Sequence, residues 1–171
     1  ITIGDGTGDT TTFTGGLDMT AGGSENLAGT IIATNQQIDV GAANVSADAT
    51  IDGGSGAINL GAMTLSDGVT LTVGTGGSGA PTITSVSGTA SGTASNLTLN
   101  TTGAASVGAV GTDLGTVTVT QSGGTTFSST VDAGTSVILT DTTGTIQFDG
   151  ALTTPTLTTA AAGYNVSLLG G

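Results

Sequence analysis

The sequence predicts an all-β fold, a parallel β-solenoid with coils of about 20 residues. Three observations predict it. Short runs such as Val117-Thr118-Val119-Thr120 alternate branched apolar and polar residues with the period of two that strands require. Gly, Asp, Asn and Ser punctuate these runs. The runs also recur in one register: Ile38-Asp39-Val40-Gly41-Ala42 returns 20 residues later as Ile58-Asn59-Leu60-Gly61-Ala62.

Each element follows from the same pattern. Ile1-Thr2-Ile3-Gly4 reads as a strand and Asp5-Gly6-Thr7-Gly8-Asp9 as a turn. The first repeat extends from Val45-Ser46 to Leu65-Ser66 and from Ala49-Thr50-Ile51 to Val69-Thr70-Leu71, always at an offset of 20. Further on, Val107, Phe127 and Phe148 are spaced 20 and 21 apart, and Leu99, Val119, Leu139 and Leu157 are spaced 20, 20 and 18. Val131 and Leu152 follow the two phenylalanines at equal distances. Residues 21–29 and 74–95 break the period and are expected to be loop insertions or coils with longer turns. The last strand-like segment is Asn165-Val166-Ser167-Leu168-Leu169.

A coil of this length holds three short strands, each pairing with its equivalent in the next coil about 4.8 Å away. Inward residues then stack as columns of Ile, Val, Leu and Phe, and outward residues as ladders of Thr, Ser and Asn. About eight coils fit the 171 residues. The whole chain is expected to form a single solenoid domain. The competing fold is a tandem β-sandwich, which also uses many short alternating strands. A repeating register with no Trp and a single Tyr favours the solenoid.

Composition narrows function. The chain has no Lys, Arg, His or Cys, and its 12 acidic residues give a formal charge of −12. Nucleic-acid binding is not expected, because Lys and Arg supply the phosphate neutralisation on which it depends. Membrane insertion is not expected either, since no run reaches the roughly 18 apolar residues of a spanning helix. Ser–His–Asp catalysis needs a histidine that this chain lacks, and thiol chemistry needs a cysteine. The absence of an initiating Met is consistent with a processed product or a piece of a longer polypeptide.

Thr11-Thr12-Phe13-Thr14-Gly15-Gly16-Leu17, Gly124-Thr125-Thr126-Phe127 and Gly144-Thr145-Ile146-Gln147-Phe148-Asp149-Gly150-Ala151-Leu152 resemble the strand repeats of large bacterial surface proteins, namely filamentous-haemagglutinin-like adhesins and autotransporter passengers. The resemblance covers most of the chain. It implies a secreted, elongated, right-handed β-helix used in adhesion, surface layers or fibres, and it carries over no functional residue.

Candidate sites are few. Asp5 and Asp9 flank a Gly-rich turn with the oxygen chemistry that calcium favours, although two carboxylates are few for a tight site. No cofactor is expected. Paired carboxylates could serve an inverting glycosidase. Such an enzyme also grips sugars with aromatic faces, and Phe13, Phe127 and Phe148 are expected in the core. Thr70-Leu71-Thr72, Thr118-Val119-Thr120 and Thr156-Leu157-Thr158 raise an ice-binding alternative, with Ile138 interrupting the Thr118 column. Asn44, Asn96, Asn100 and Asn165 each begin an N-x-Ser/Thr sequon.

The expected function is therefore structural and non-enzymatic. The chain reads as a subunit or segment of an extracellular bacterial filament or surface array, assembled head to tail. An adhesin segment presenting Thr and Asn faces to glycans or a host surface is the alternative. Glycans and divalent cations are the further partners that this chemistry leaves open.

Overall fold

A computed structural model describes residues 1–23, 25–89, 92–160 and 163–170. Among the described residues there is no helix, and 18 strands, all paired in parallel, wind into a β-solenoid of about eight turns with coils about 20 residues apart. Three faces repeat around the axis. The first face includes residues 26–27, 43–45, 63–65 and 86–88. The second carries Thr10–Phe13, the later part of Glu25–Ala33, Thr70–Val73, Ser95–Asn100, Leu114–Ser122, Ser136–Thr142 and Leu157–Thr159. The third carries Leu17–Met19, Ile38–Val40, Thr125–Phe127 and Asn165–Gly170, with the opening residues of Ile58–Leu65, Pro81–Gly88, Ala105–Gly111 and Thr145–Thr153.

Burial follows the period of two. On the third face Met19, Val40, Leu60, Ile83, Val107, Phe127, Phe148 and Leu168 form one column, one residue per coil. The rings of Phe127 and Phe148 stack with centroids 4.8 Å apart and planes 6° from parallel. That separation matches the strand spacing, so parallel in-register pairing itself sets the stack. On the second face Ile31, Ile51, Val73, Leu99, Val119 and Leu139 are buried in line. No coil could bury these side chains alone. Each is covered by the coils above and below, so stability accumulates through nearest-neighbour interfaces.

The repeated glycine of the IxVGA motif has a packing reason. A Cβ on Gly61 would lie 2.7 Å from the backbone carbonyl of Gly41 in the coil below. At this corner the two backbones approach so closely that no side chain fits between them.

Two sequence expectations change in detail, and a third is decided between its two alternatives. Leu99, Val119 and Leu139 do stack, but the next residue in that column is Thr159; Leu157 instead continues Val137. Ala49-Thr50-Ile51 pairs with Leu71-Thr72-Val73, not with Val69-Thr70-Leu71, because the turn after Leu65 is longer than the one after Val45. Both errors are two-residue slips, which leave inward residues inward and are invisible to an alternation pattern. Finally, most of the two irregular stretches belongs to the coil. Residues 25–29 lie in the strand Glu25–Ala33, and residues 81–88 form the strand Pro81–Gly88, which buries Ile83 and Val86. Ile83 and Val86 fall in the same columns as Leu60 and Met63, so this stretch is a full coil with longer turns. Ser24, Ala90 and Ser91, also in these stretches, lie outside the described residues.

Candidate functional site

A solenoid offers its ends and its side faces. At the last coil the inward columns reach the surface: Leu157 and Val166 are each 36% exposed and Leu168 58%. Val166 ends the column that passes through Ile146, and Leu168 ends the one that passes through Phe148. At the first coil a hollow of about 430 Å³ is lined by Ile3, Thr11, Phe13, Leu17 and Met19. Phe13, expected in the core, is only half-buried there, at the edge of this hollow. The two surfaces are complementary in kind: apolar columns emerge at one end and an apolar hollow opens at the other.

The side faces carry polar ladders. On the second face Thr10, Thr30, Thr50, Thr72, Thr98 and Thr118 occupy successive rungs, followed by Ile138 and Thr158. Thr70, Asn96, Thr116 and Ser136 form a second, neighbouring ladder. Within it the Thr116 N–H donates to Asn96 Oδ1 at 3.0 Å, and the Thr116 and Ser136 hydroxyls lie 3.4 Å apart. The third face stacks Asp18, Asp39 and Asn59 in register. Asp39 accepts from Asn59 Nδ2 at 2.7 Å and from Gln37 Nε2 at 2.8 and 2.9 Å. These amide donors take the place of the basic residues that the chain lacks.

Asp5 and Asp9 sit in the expected turn. Asp9 Oδ2 accepts the N–H of Asp5 at 2.8 Å and that of Gly6 at 3.2 Å. Those bonds, the one from Asp5 first, hold the Asp9 carboxyl below its ordinary range because they stabilise the charged form. The Asp9 carboxylate thus closes the turn. Among the described residues no group of three or more acids is placed to hold a metal ion. Asp18 is lowered in the same way, by the N–H and then the hydroxyl of Thr20.

The remaining aromatics are absorbed by the fold. Phe127 and Phe148 are fully buried. The Tyr164 hydroxyl donates to the Leu139 carbonyl at 3.0 Å and accepts the Ala160 N–H at 3.2 Å, tying the last turn to the coil below. Of the sequons, Asn44 and Asn165 are exposed, while Asn96 and Asn100 are half-buried in their strands.

Sequence reasoning missed one residue. Glu25 is 1% exposed and stands at the head of an inward column continued by Ala43, Met63, Val86, Val110 and Val131. An acid in step with core positions was the available signal, but it could be read only once the register was known.

Compared with family models, with curated proteins and with solved structures, the chain matches none.

Proposed function

We propose that this chain is a structural segment of an extracellular bacterial filament or surface array, in which solenoid coils continue end to end by parallel strand stacking. One observation carries the reading: the apolar columns emerge unfinished at the last coil and begin again, in the same register, at the first. A coil placed on the last one with unchanged register sets Leu17 on Val166 and Met19 on Leu168. That coil comes from a continuation of the polypeptide or from a second copy. Contact between two different ends is heterologous and propagates without closing, which is the geometry of a filament. Unpaired strand edges at such ends add backbone hydrogen bonds to the apolar contact.

Electron microscopy of the purified chain tests this. Eight coils at about 4.8 Å make a rod about 40 Å long. The expected particles are much longer rods with an unbroken axial repeat, their length rising with concentration. Single rods of about 40 Å at every concentration would refute stacking between separate copies.

The threonine ladder supports a second reading, a surface that orders water or binds ice. Seven of its eight rungs are Thr. Ice recrystallisation assays decide between the two: inhibition that is lost on Thr98→Tyr supports a water-ordering face, and no inhibition by the unaltered chain rejects it.

A further inference from the structure

We infer that the end contact joins the first coil of one copy to the last coil of another, in a single register set by two polar pairs, Ser167 with Asp18 and Thr159 with Thr11. This rests on the end-to-end reading above and commits it to a second copy as the partner. The apolar columns alone leave both polarity and register open.

The outward ladder of the third face supplies the first pair. It begins with Asp18 and Asp39 and ends, in unbroken register, with Gln147 and Ser167. Carboxylates thus stand at one end and a hydroxyl donor at the other. Asp18 Oδ1 accepts the N–H of Thr20 at 3.0 Å and its hydroxyl at 2.7 Å, while Oδ2 has no partner among the described residues. The inner neighbour of Asp18 is another acid, Asp39, so a donor across the strands must come from the outer side. One coil further in, the same ladder already makes such a bond, where Asn59 donates to Asp39 at 2.7 Å. Ser167 in the next rung completes it on Asp18, strengthened by the charge of the acceptor.

Charge gives the contact its direction. Residues 1–20 hold Asp5, Asp9 and Asp18, whereas residues 151–170 hold no charged side chain. Two first coils facing each other bring two sets of carboxylates together, with no Lys, Arg or His to relieve them. Two last coils avoid that repulsion but offer Ser167 no carboxylate.

The second pair lies inside. Thr11 and Thr159 occupy the two ends of the inward column that contains Ile31 and Leu139. In unchanged register their hydroxyls meet, as the buried hydroxyls of Ser122 and Thr142 meet between adjacent coils at 2.5 Å. A two-residue slip keeps apolar residues inward but sets Thr159 against Asp9 or Phe13, and Ser167 against Gly16 or Thr20. Both pairs are then lost, which is how buried polar residues specify register.

Thiol cross-linking reads polarity and register in a chain that has no cysteine of its own. Thr158 falls beneath Thr10 of the next copy, and both are exposed and outside the two pairs. Thr10→Cys and Thr158→Cys chains are treated, separately and mixed, with a reagent that bridges thiols one strand spacing apart. A 10–158 link in the mixture, located by mass spectrometry, is expected, with neither chain linking to itself. In sedimentation velocity Ser167→Asp should weaken association at least tenfold, and adding Asp18→Ser should restore it to within about threefold, because the swap again pairs acid with hydroxyl. Thr11→Val combined with Thr159→Val should keep association but lower the yield of the 10–158 link. Self-linking of either chain, association without the 10–158 link, an unweakened S167D chain, a swap that fails to restore, or an unchanged link yield in the valine variant would overturn the inference while leaving end stacking in place. Absence of any association between copies removes stacking of separate copies along with it.

Discussion

Replacing Leu168 by Asp probes the open end at a single residue. Leu168 ends the column that runs from Met19 through Phe148, and 58% of its surface is uncovered. Burying a leucine side chain completely contributes roughly 1.5–3 kcal/mol, so covering what remains here contributes about 1–2 kcal/mol. Leu157 and Val166, each 36% exposed, add about 0.5–1 kcal/mol apiece. Aspartate at 168 forfeits the largest of these shares. It also sets a carboxylate against the Met19 position of the next coil, where no basic side chain exists to pair with it. The end contact should weaken by about 2 kcal/mol or more, about a 30-fold rise in its dissociation constant. Sedimentation velocity over a concentration series measures this directly. Because Leu168 is already exposed within the stack, denaturant unfolding should change by less than about 0.5 kcal/mol. Thr143→Asp, at an exposed lateral turn, adds the same charge away from the ends and should leave association nearly unchanged. An L168D chain that assembles at the same concentration as the unaltered one would refute the stacking argument.

Further outcomes follow from the interior and the turns. Phe127→Ala removes a fully buried ring and its stacked partner contact and should cost about 3–5 kcal/mol in chemical denaturation. A double-mutant cycle with Phe148→Ala should show positive coupling, since the rings touch. Gly61→Ala forces a methyl group to within 2.7 Å of the Gly41 backbone and should destabilise by about 1–3 kcal/mol, measured by thermal unfolding. Asp18 has a folded pKa below its ordinary 3.8. Its contribution to stability is therefore fully present above that value and is lost as pH falls through the lower, folded value. Unfolding curves of Asp18→Asn from neutral pH to below pH 3 should accordingly depend less steeply on acid than those of the unaltered chain.

Much of the architecture was legible in the sequence because it is local and periodic. The pairing of Ile38 with Ile58, the column from Val107 to Phe148 and the pairing of Val131 with Leu152 all followed from spacing alone. The acidic turn at residues 5–9 was read from its composition, and the structure adds the reason it forms, two backbone N–H groups held by Asp9. The strand Pro81–Gly88 was hidden because its flanking turns are longer, which stretches the offset between Leu60 and Ile83 and again between Ile83 and Val107. The full threonine ladder was hidden for the same reason, since Thr50, Thr72 and Thr98 do not follow a constant spacing.

The sequence by itself determined that this chain is β, that it repeats at about 20 residues, and that it brings no basic side chain to any chemistry. Those properties reside in residue types and in a period of two, and both survive without coordinates. Only the tertiary structure decided the register. A strand may slip by two residues without moving any side chain to the wrong face, so turn lengths and coil-to-coil contact had to choose between Thr159 and Leu157 above Leu139. The register then determined what no local pattern could: which threonines share a ladder, which columns emerge at the ends, and that Glu25 stands in line with the core.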